Sequence, residues 1–113
     1  MPAVPKPEHV NSAAYIRWLR SVVLHCELCW HEQQRPCSAK LEVHHIQARG
    51  RHGDDRISNL VVLGGGLRGC HALVGREGIS TERLRAALAA RLARWQTNGM
   101  LAQAMERFPG IGL

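Results

Sequence analysis

The strongest periodic signal lies in residues 80–95, where Leu84, Leu88, Leu92 and Trp95 recur at spacings of four and three. That recurrence lines them along one side of a helix, with Arg83, Arg85, Arg91 and Arg94 pointing in other directions. Ser80 supplies an N-cap and Asn98-Gly99 a stop. The stripe reads first as a core face, and a dimer seam or a docking face for a partner protein are its other uses. A second amphipathic pattern runs through residues 11–24, capped by Asn11 or Ser12, with Tyr15, Ile16, Leu19, Val22 and Val23 on or near one face. Trp18 in this segment reads as core or helix interface rather than as a stacking platform for bases. A short helix over residues 100–107 follows the long one and ends at Pro109-Gly110.

Between the helical patterns the period changes to two. Leu41, Val43 and His45 alternate with Glu42, His44 and Ile46, which reads as a short strand whose side chains leave on opposite faces. His44 and His45 are therefore turned different ways and cannot share one task. The run Asn59-Leu-Val-Val-Leu63 and the pair Cys70-His71 come next. The chain shows no internal repeat, low-complexity tract or interdomain linker. It reads as a mobile proline-rich segment over residues 1–10 and one domain over 11–113, with a motif core at 26–76 and a helical part at 80–108.

A chain of 113 residues has room for one modest core, which benefits from a metal staple. No apolar stretch is long enough to span a membrane, so the sequence predicts a soluble protein. Fifteen Lys and Arg against nine Asp and Glu give a formal charge of +6, which favours a polyanionic partner such as nucleic acid. A charge excess is often just a solvated face, so the placement of the arginines matters more. Arg49, Arg51 and Arg56 lie in the loop 47–56, whose glycines allow close backbone approach, and Arg68 lies in the glycine-rich loop before Cys70. These four are candidate phosphate contacts, while His52 reads as a solvated loop histidine.

The four cysteines point to metal rather than disulfides, because residues 1–10 hold no apolar core of signal-peptide length. Cys26 and Cys29 have the spacing of a knuckle whose sulfurs converge on one ion.

Taken together, Cys26-Glu-Leu-Cys29, the strand ending in His44-His45, the glycine-rich loop, Ser58-Asn59-Leu60 and Gly69-Cys70-His71 resemble the HNH or ββα-metal nucleases. The resemblance is in particular to the small forms common in phages and prophages. The resemblance implies an α+β fold, a ββα-metal finger with flanking helices and a zinc knuckle. It makes His44 and His71 ligands of a catalytic divalent cation (Mg, Mn, Ni or Zn), His45 the general base, and Asn59 the residue holding the ββ turn and the base in position. It places Cys70 as the last thiolate of a second knuckle. The expected partner cysteine is replaced, since the chain reads Leu63-Gly64 there. Cys37, just ahead of the first strand, is the candidate fourth ligand of a structural zinc. His25 and His31 are weaker substitutes, and a simple buried thiol is the plain alternative for Cys37.

The assigned chemistry stands without the family name. Phosphodiester hydrolysis needs a nucleophile made from water, charge compensation at the phosphoryl oxygens and relief for the departing 3′ oxygen. Two imidazoles on one cation serve the last two needs. A neutral imidazole, with its ordinary pKa of about 6.5, serves the first. The implied function is a metal-dependent DNA endonuclease in the cytoplasm of a bacterial host, with terminase or portal proteins as conceivable partners. The alternative is a catalytically inactive zinc-containing module that binds DNA or acts as an adaptor.

Overall fold

The computed structural model describes residues 11–48, 54–67, 69–76 and 78–112. The N-terminal segment expected to be mobile lies outside these residues. Helix α1 (Ala13–Val22) begins where Ser12 accepts a hydrogen bond from the Tyr15 amide at 3.1 Å, which settles the cap in favour of Ser12 over Asn11. A short helix α2 (Glu27–Gln33) follows and closes at Gln34 in the left-handed region, φ 57°. Sequence patterning did not predict α2. It holds the cysteine knuckle, with Cys26 at its N-cap position and Cys29 in its first turn.

Strands β1 (Leu41–His45) and β2 (Leu60–Gly64) pair antiparallel from Leu41 opposite Gly64 to His45 opposite Leu60. Helix α3 (Cys70–Arg76) comes after β2, which completes a ββα arrangement. Helix α4 (Thr81–Asn98) is capped by Ser80, whose hydroxyl accepts from the Arg83 amide at 3.2 Å. It stops at Gly99, where φ of 82° demands a residue without a side chain. Helix α5 (Met100–Arg107) ends ahead of Pro109. The mixed helical and two-stranded fold is the one expected. No helix among the described residues is long and apolar enough to cross a membrane.

Strand β2 is buried at all five positions, and its alternation feeds two separate clusters. Leu60 and Val62 join Tyr15, Trp18, Leu19, Ile57, Trp95, Ala104 and Ile111. Val61 and Leu63 point the other way, into Cys26, Leu28, Cys70, Leu84 and Ala87. Trp18 is thus a core residue, its ring meeting Trp95 edge-on with centroids 5.5 Å apart. In α4 the stripe Leu84, Leu88 and Trp95 is buried, with Leu92 only partly so. Ile16, Val22 and Val23 of the first helical face are likewise only partly buried.

Arg91 is a correction to the sequence reading. The sequence reading set it apart from the apolar stripe as a charged residue, yet three residues from Leu88 and four from Trp95 it falls on that same face and is only 2% exposed. Its guanidinium forms a buried ion pair with Glu27 through Nε and donates from Nη2 to the Leu60 carbonyl at 2.8 Å. The Glu27 carboxylate also accepts from the Val62 amide at 2.7 Å. Side chains from α2 and α4 thereby take the hydrogen bonds that a third strand would make with β2. Arg91 lies over the Trp95 ring at 4.4 Å, adding a cation–π contact. Burial pushes the Glu27 carboxyl up, while the charge of Arg91 and its hydrogen bonds pull it down.

Candidate metal centre and active site

Four sulfurs meet where α2, the chain ahead of β1 and the start of α3 come together. Those of Cys26, Cys29, Cys37 and Cys70 all lie within 4.8 Å of one another, and Cys29 and Cys70 are 3.3 Å apart. A tetrahedral zinc with bonds of about 2.3 Å separates its sulfurs by about 3.8 Å, so this donor set fits that ion. The four cysteines thus form a candidate structural metal site, and zinc suits it best.

Gly64 explains why Cys37 belongs to the cluster. A Cβ built on Gly64 would collide with the Cys37 sulfur and come within 3.0 Å of the Ser38 Cβ. The thiol therefore enters the space that a side chain on the last residue of β2 would take. Burial pushes the Cys29 thiol up to about 11 and Cys70 higher still. Cys37 moves the other way: burial opposes ionisation, but hydrogen bonds from the Cys70 backbone and the neighbouring thiols outweigh it. Zinc binds thiolates, so metal uptake at protonated thiols here would release protons.

The strand alternation divides the histidines as expected. Glu42 and His44 share one face of β1, and His45 shares the other with Leu41 and Val43, which lean on the Trp18 cluster. The His44 ring meets that of His71, the second residue of α3, with centroids 5.1 Å apart. Two imidazoles ligating one ion at about 2.1 Å have ring centres roughly 5 Å apart, so the pair fits a shared divalent cation. Burial holds the His44 pKa below the usual imidazole value, and the neighbouring His71 and His45 add to the effect. Each cause favours the neutral, metal-binding form. His71 Nδ1 lies 3.2 Å from the Glu42 carboxylate.

On the opposite face His45 Nε2 makes a 2.7 Å contact with Asp55 Oδ1. Asp55 is 1% exposed, and its other oxygen accepts from the Ser12 amide at 2.7 Å, at the mouth of α1. Asn59 works on the backbone. Its Nδ2 donates to the carbonyls of Gln47 at 3.1 Å and Asp54 at 2.7 Å, while its Oδ1 accepts from the Gln47 amide at 2.8 Å. One amide thus ties both ends of the loop that leaves β1 and returns to β2, which keeps His45 and Asp55 in register.

Arg56 Nε donates to Asp54 at 2.9 Å, so this loop arginine is anchored within its own turn. The other arginines singled out, Arg49, Arg51 and Arg68, lie outside the described residues. Sequence reasoning missed Glu42 and Asp55. Period-two alternation already put Glu42 on the His44 face. The pair Asp54-Asp55 in a glycine-bearing loop looks solvated, and only its contacts with His45 and Ser12 show otherwise.

Residues 26–64 match the family model described as HNH endonuclease. The matched span takes in Cys26, Cys29, Cys37, both strand histidines and Asn59, and stops ahead of Cys70 and His71. No curated protein and no solved structure matches the chain.

Proposed function

We propose that this chain, whose residues 26–64 are an HNH endonuclease domain, is a metal-dependent endonuclease acting on DNA with His45 as the general base. The observation that carries the reading is the hydrogen bond between His45 and a buried Asp55, on a strand whose other face presents His44 to His71. A carboxylate only accepts, so the contact puts the His45 proton on Nε2 and the basic lone pair on Nδ1. Asp55 also stabilises the imidazolium that forms when His45 takes a proton from water. Its own place is fixed by the Ser12 amide, which adds a hydrogen bond to the charged carboxylate. A divalent cation on His44 and His71 would neutralise the phosphoryl oxygen and the departing 3′ oxygen. Arg56, held by Asp54 through Nε, has guanidinium N–H groups beyond that contact for a neighbouring phosphate. The formal charge of +6 favours such a polyanion.

Gly64 stands where the family places a cysteine, but the Cys37 sulfur fills that place, so the substitution does not by itself favour a non-catalytic zinc module. Leu84, Leu88 and Trp95 of the α4 stripe are core and Leu92 is half-buried, so an adaptor role would have to draw on other faces of the helix.

The test is cleavage of supercoiled plasmid after chelation and return of magnesium, manganese, nickel or zinc. Metal-dependent nicking or linearisation is expected from the native protein. His45→Ala should cut about 10²-fold to 10⁴-fold more slowly, the usual worth of a general base. Normal cutting by that variant, or none by the folded native protein with any of these metals, overturns the proposal.

A further inference from the structure

We propose that Glu42 is a positioning residue for the cation centre: lying across the bare backbone of Gly65, its carboxylate holds the Nδ1 proton of His71 and leaves Nε2 of that ring for the ion shared with His44. The proposal rests on the reading of His44 and His71 as cation ligands.

Three observations converge on Glu42. It lies two residues before His44 on the same face of β1, and both side chains meet His71 of α3. Its Oε1 is 3.2 Å from His71 Nδ1. A Cβ built on Gly65 would lie 2.6 Å from that oxygen, 2.8 Å from the Glu42 Cδ and 2.9 Å from its Cγ. No side chain fits at position 65 while Glu42 holds this pose.

Gly65 is not among the glycines with positive φ, so backbone conformation does not account for it. Its amide donates to the Lys40 carbonyl at 2.7 Å, which fixes its backbone close to the start of β1. The glycine leaves a bare stretch of backbone, and the carboxylate lies on it.

The chemistry follows from the two nitrogens of imidazole. A neutral ring carries one proton, and an unrestrained His71 would divide it between Nδ1 and Nε2 while turning about its own side-chain bonds. A carboxylate on Nδ1 selects one tautomer and one orientation. Outer carboxylates of this type commonly contribute 10-fold to 100-fold in metal affinity. The alternative use of Glu42, as a direct third ligand, predicts a different response to an amide. Gln can still accept from Nδ1–H but is a poor ligand for a cation, so the two roles separate.

The experiment uses zinc-loaded full-length protein, titrated calorimetrically with Ni²⁺ as the probe. Long-range ¹H–¹⁵N spectra of the histidine rings, taken before nickel is added, report the tautomer of His71. The native protein should bind nickel beyond its zinc and show His71 with its proton on Nδ1. Glu42→Ala should weaken nickel binding about 10-fold to 100-fold and populate both tautomers. Glu42→Gln should recover most of the affinity. Gly65→Ala, which removes no titratable group, should behave like Glu42→Ala by evicting the carboxylate. Equal nickel affinity in Glu42→Ala, or equal loss in the Ala and Gln variants, overturns the positioning role and leaves the nuclease reading standing. A native protein that binds no second ion overturns both. If Glu42→Ala does not fold, the native spectrum decides, since a His71 proton on Nε2 sinks the proposal.

Discussion

At the scale of single residues, the working parts are short polar contacts attached to buried groups. His45 is aimed by Asp55, which is aimed by a backbone amide. Asp55→Asn keeps the size of the side chain but can present an N–H to His45 Nε2, driving the ring proton to Nδ1 and removing the lone pair that the proposed mechanism uses to take a proton from water. Plasmid cleavage should then fall by roughly the factor expected for loss of the base, on the order of 10²-fold or more, with DNA affinity little changed. Cleavage at the native rate would show that Asp55 does not set the tautomer.

The cysteine site offers a second residue-scale test. Cys37→Ala should reduce bound zinc below about one ion per chain. Adding Gly64→Cys to that variant supplies a sulfur beside the vacated space and should restore zinc. Gly64→Cys alone should destabilise, because its Cβ collides with the Cys37 sulfur. Zinc content after dialysis and thermal melting of the three variants read this out, and a double variant no better than Cys37→Ala would argue against the substitution of one sulfur for the other. Sequence alone left Cys37, His25 and His31 open, since the distance between position 37 and the end of β2 depends on a register that spacing does not encode.

Among the elements, those announced by local chemistry were legible. Ser12, Ser80 and Gly99 mark helix ends through hydrogen bonds and dihedral limits that act within a few residues. Helix α2 was not legible, because seven residues are too few for a periodic signal and its Cys26 cap makes no side-chain hydrogen bond. Arg91 was misread for a different reason. Its spacing from Leu88 and Trp95 puts it on the buried face, but charge was read as outward, and the group that satisfies it there is Glu27, 64 positions away in the chain.

Helix α2 is also tied to α4 at the surface, where Arg83 donates to Glu32 from Nε at 2.8 Å and Nη2 at 2.6 Å. The hydrogen bonds and charge of Arg83 hold the Glu32 carboxyl below its ordinary 4.5. A carboxyl lowered by folding contributes stability above its unfolded pKa and loses it as pH falls through the folded value. Arg83→Met should therefore return Glu32 to the ordinary range in an NMR titration and flatten the acid limb of the stability curve just below pH 4.5. An unchanged Glu32 titration would show that the pair is not formed in solution. The exposure of Arg83 keeps the gain small.

For the whole molecule, the Glu27–Arg91 pair is the junction, since it joins α2 and α4 across the outer edge of β2. Arg91→Met leaves a buried carboxylate unpaired and should cost about 3–5 kcal/mol. Adding Glu27→Leu removes the charge but leaves the Val62 amide and the Leu60 carbonyl without these partners, at about 1–3 kcal/mol for each buried group. Urea unfolding of zinc-loaded protein should find both variants less stable than the native chain. A double variant as stable as native would mean that the edge of β2 finds other partners.

Because successive side chains of β2 enter opposite clusters, the strand is common property of the cysteine end and the tryptophan end. A displacement of β2 that opens one cluster also withdraws side chains from the other, which couples the two through the strand. In hydrogen exchange the amides of Val61, Val62 and Leu63 should be the last to exchange and should report global unfolding. Stripping metal from the four sulfurs would then quicken exchange around Trp18 and Trp95 as well. Loss of the ion would be felt throughout the core, including beneath the strand that carries His44 and His45.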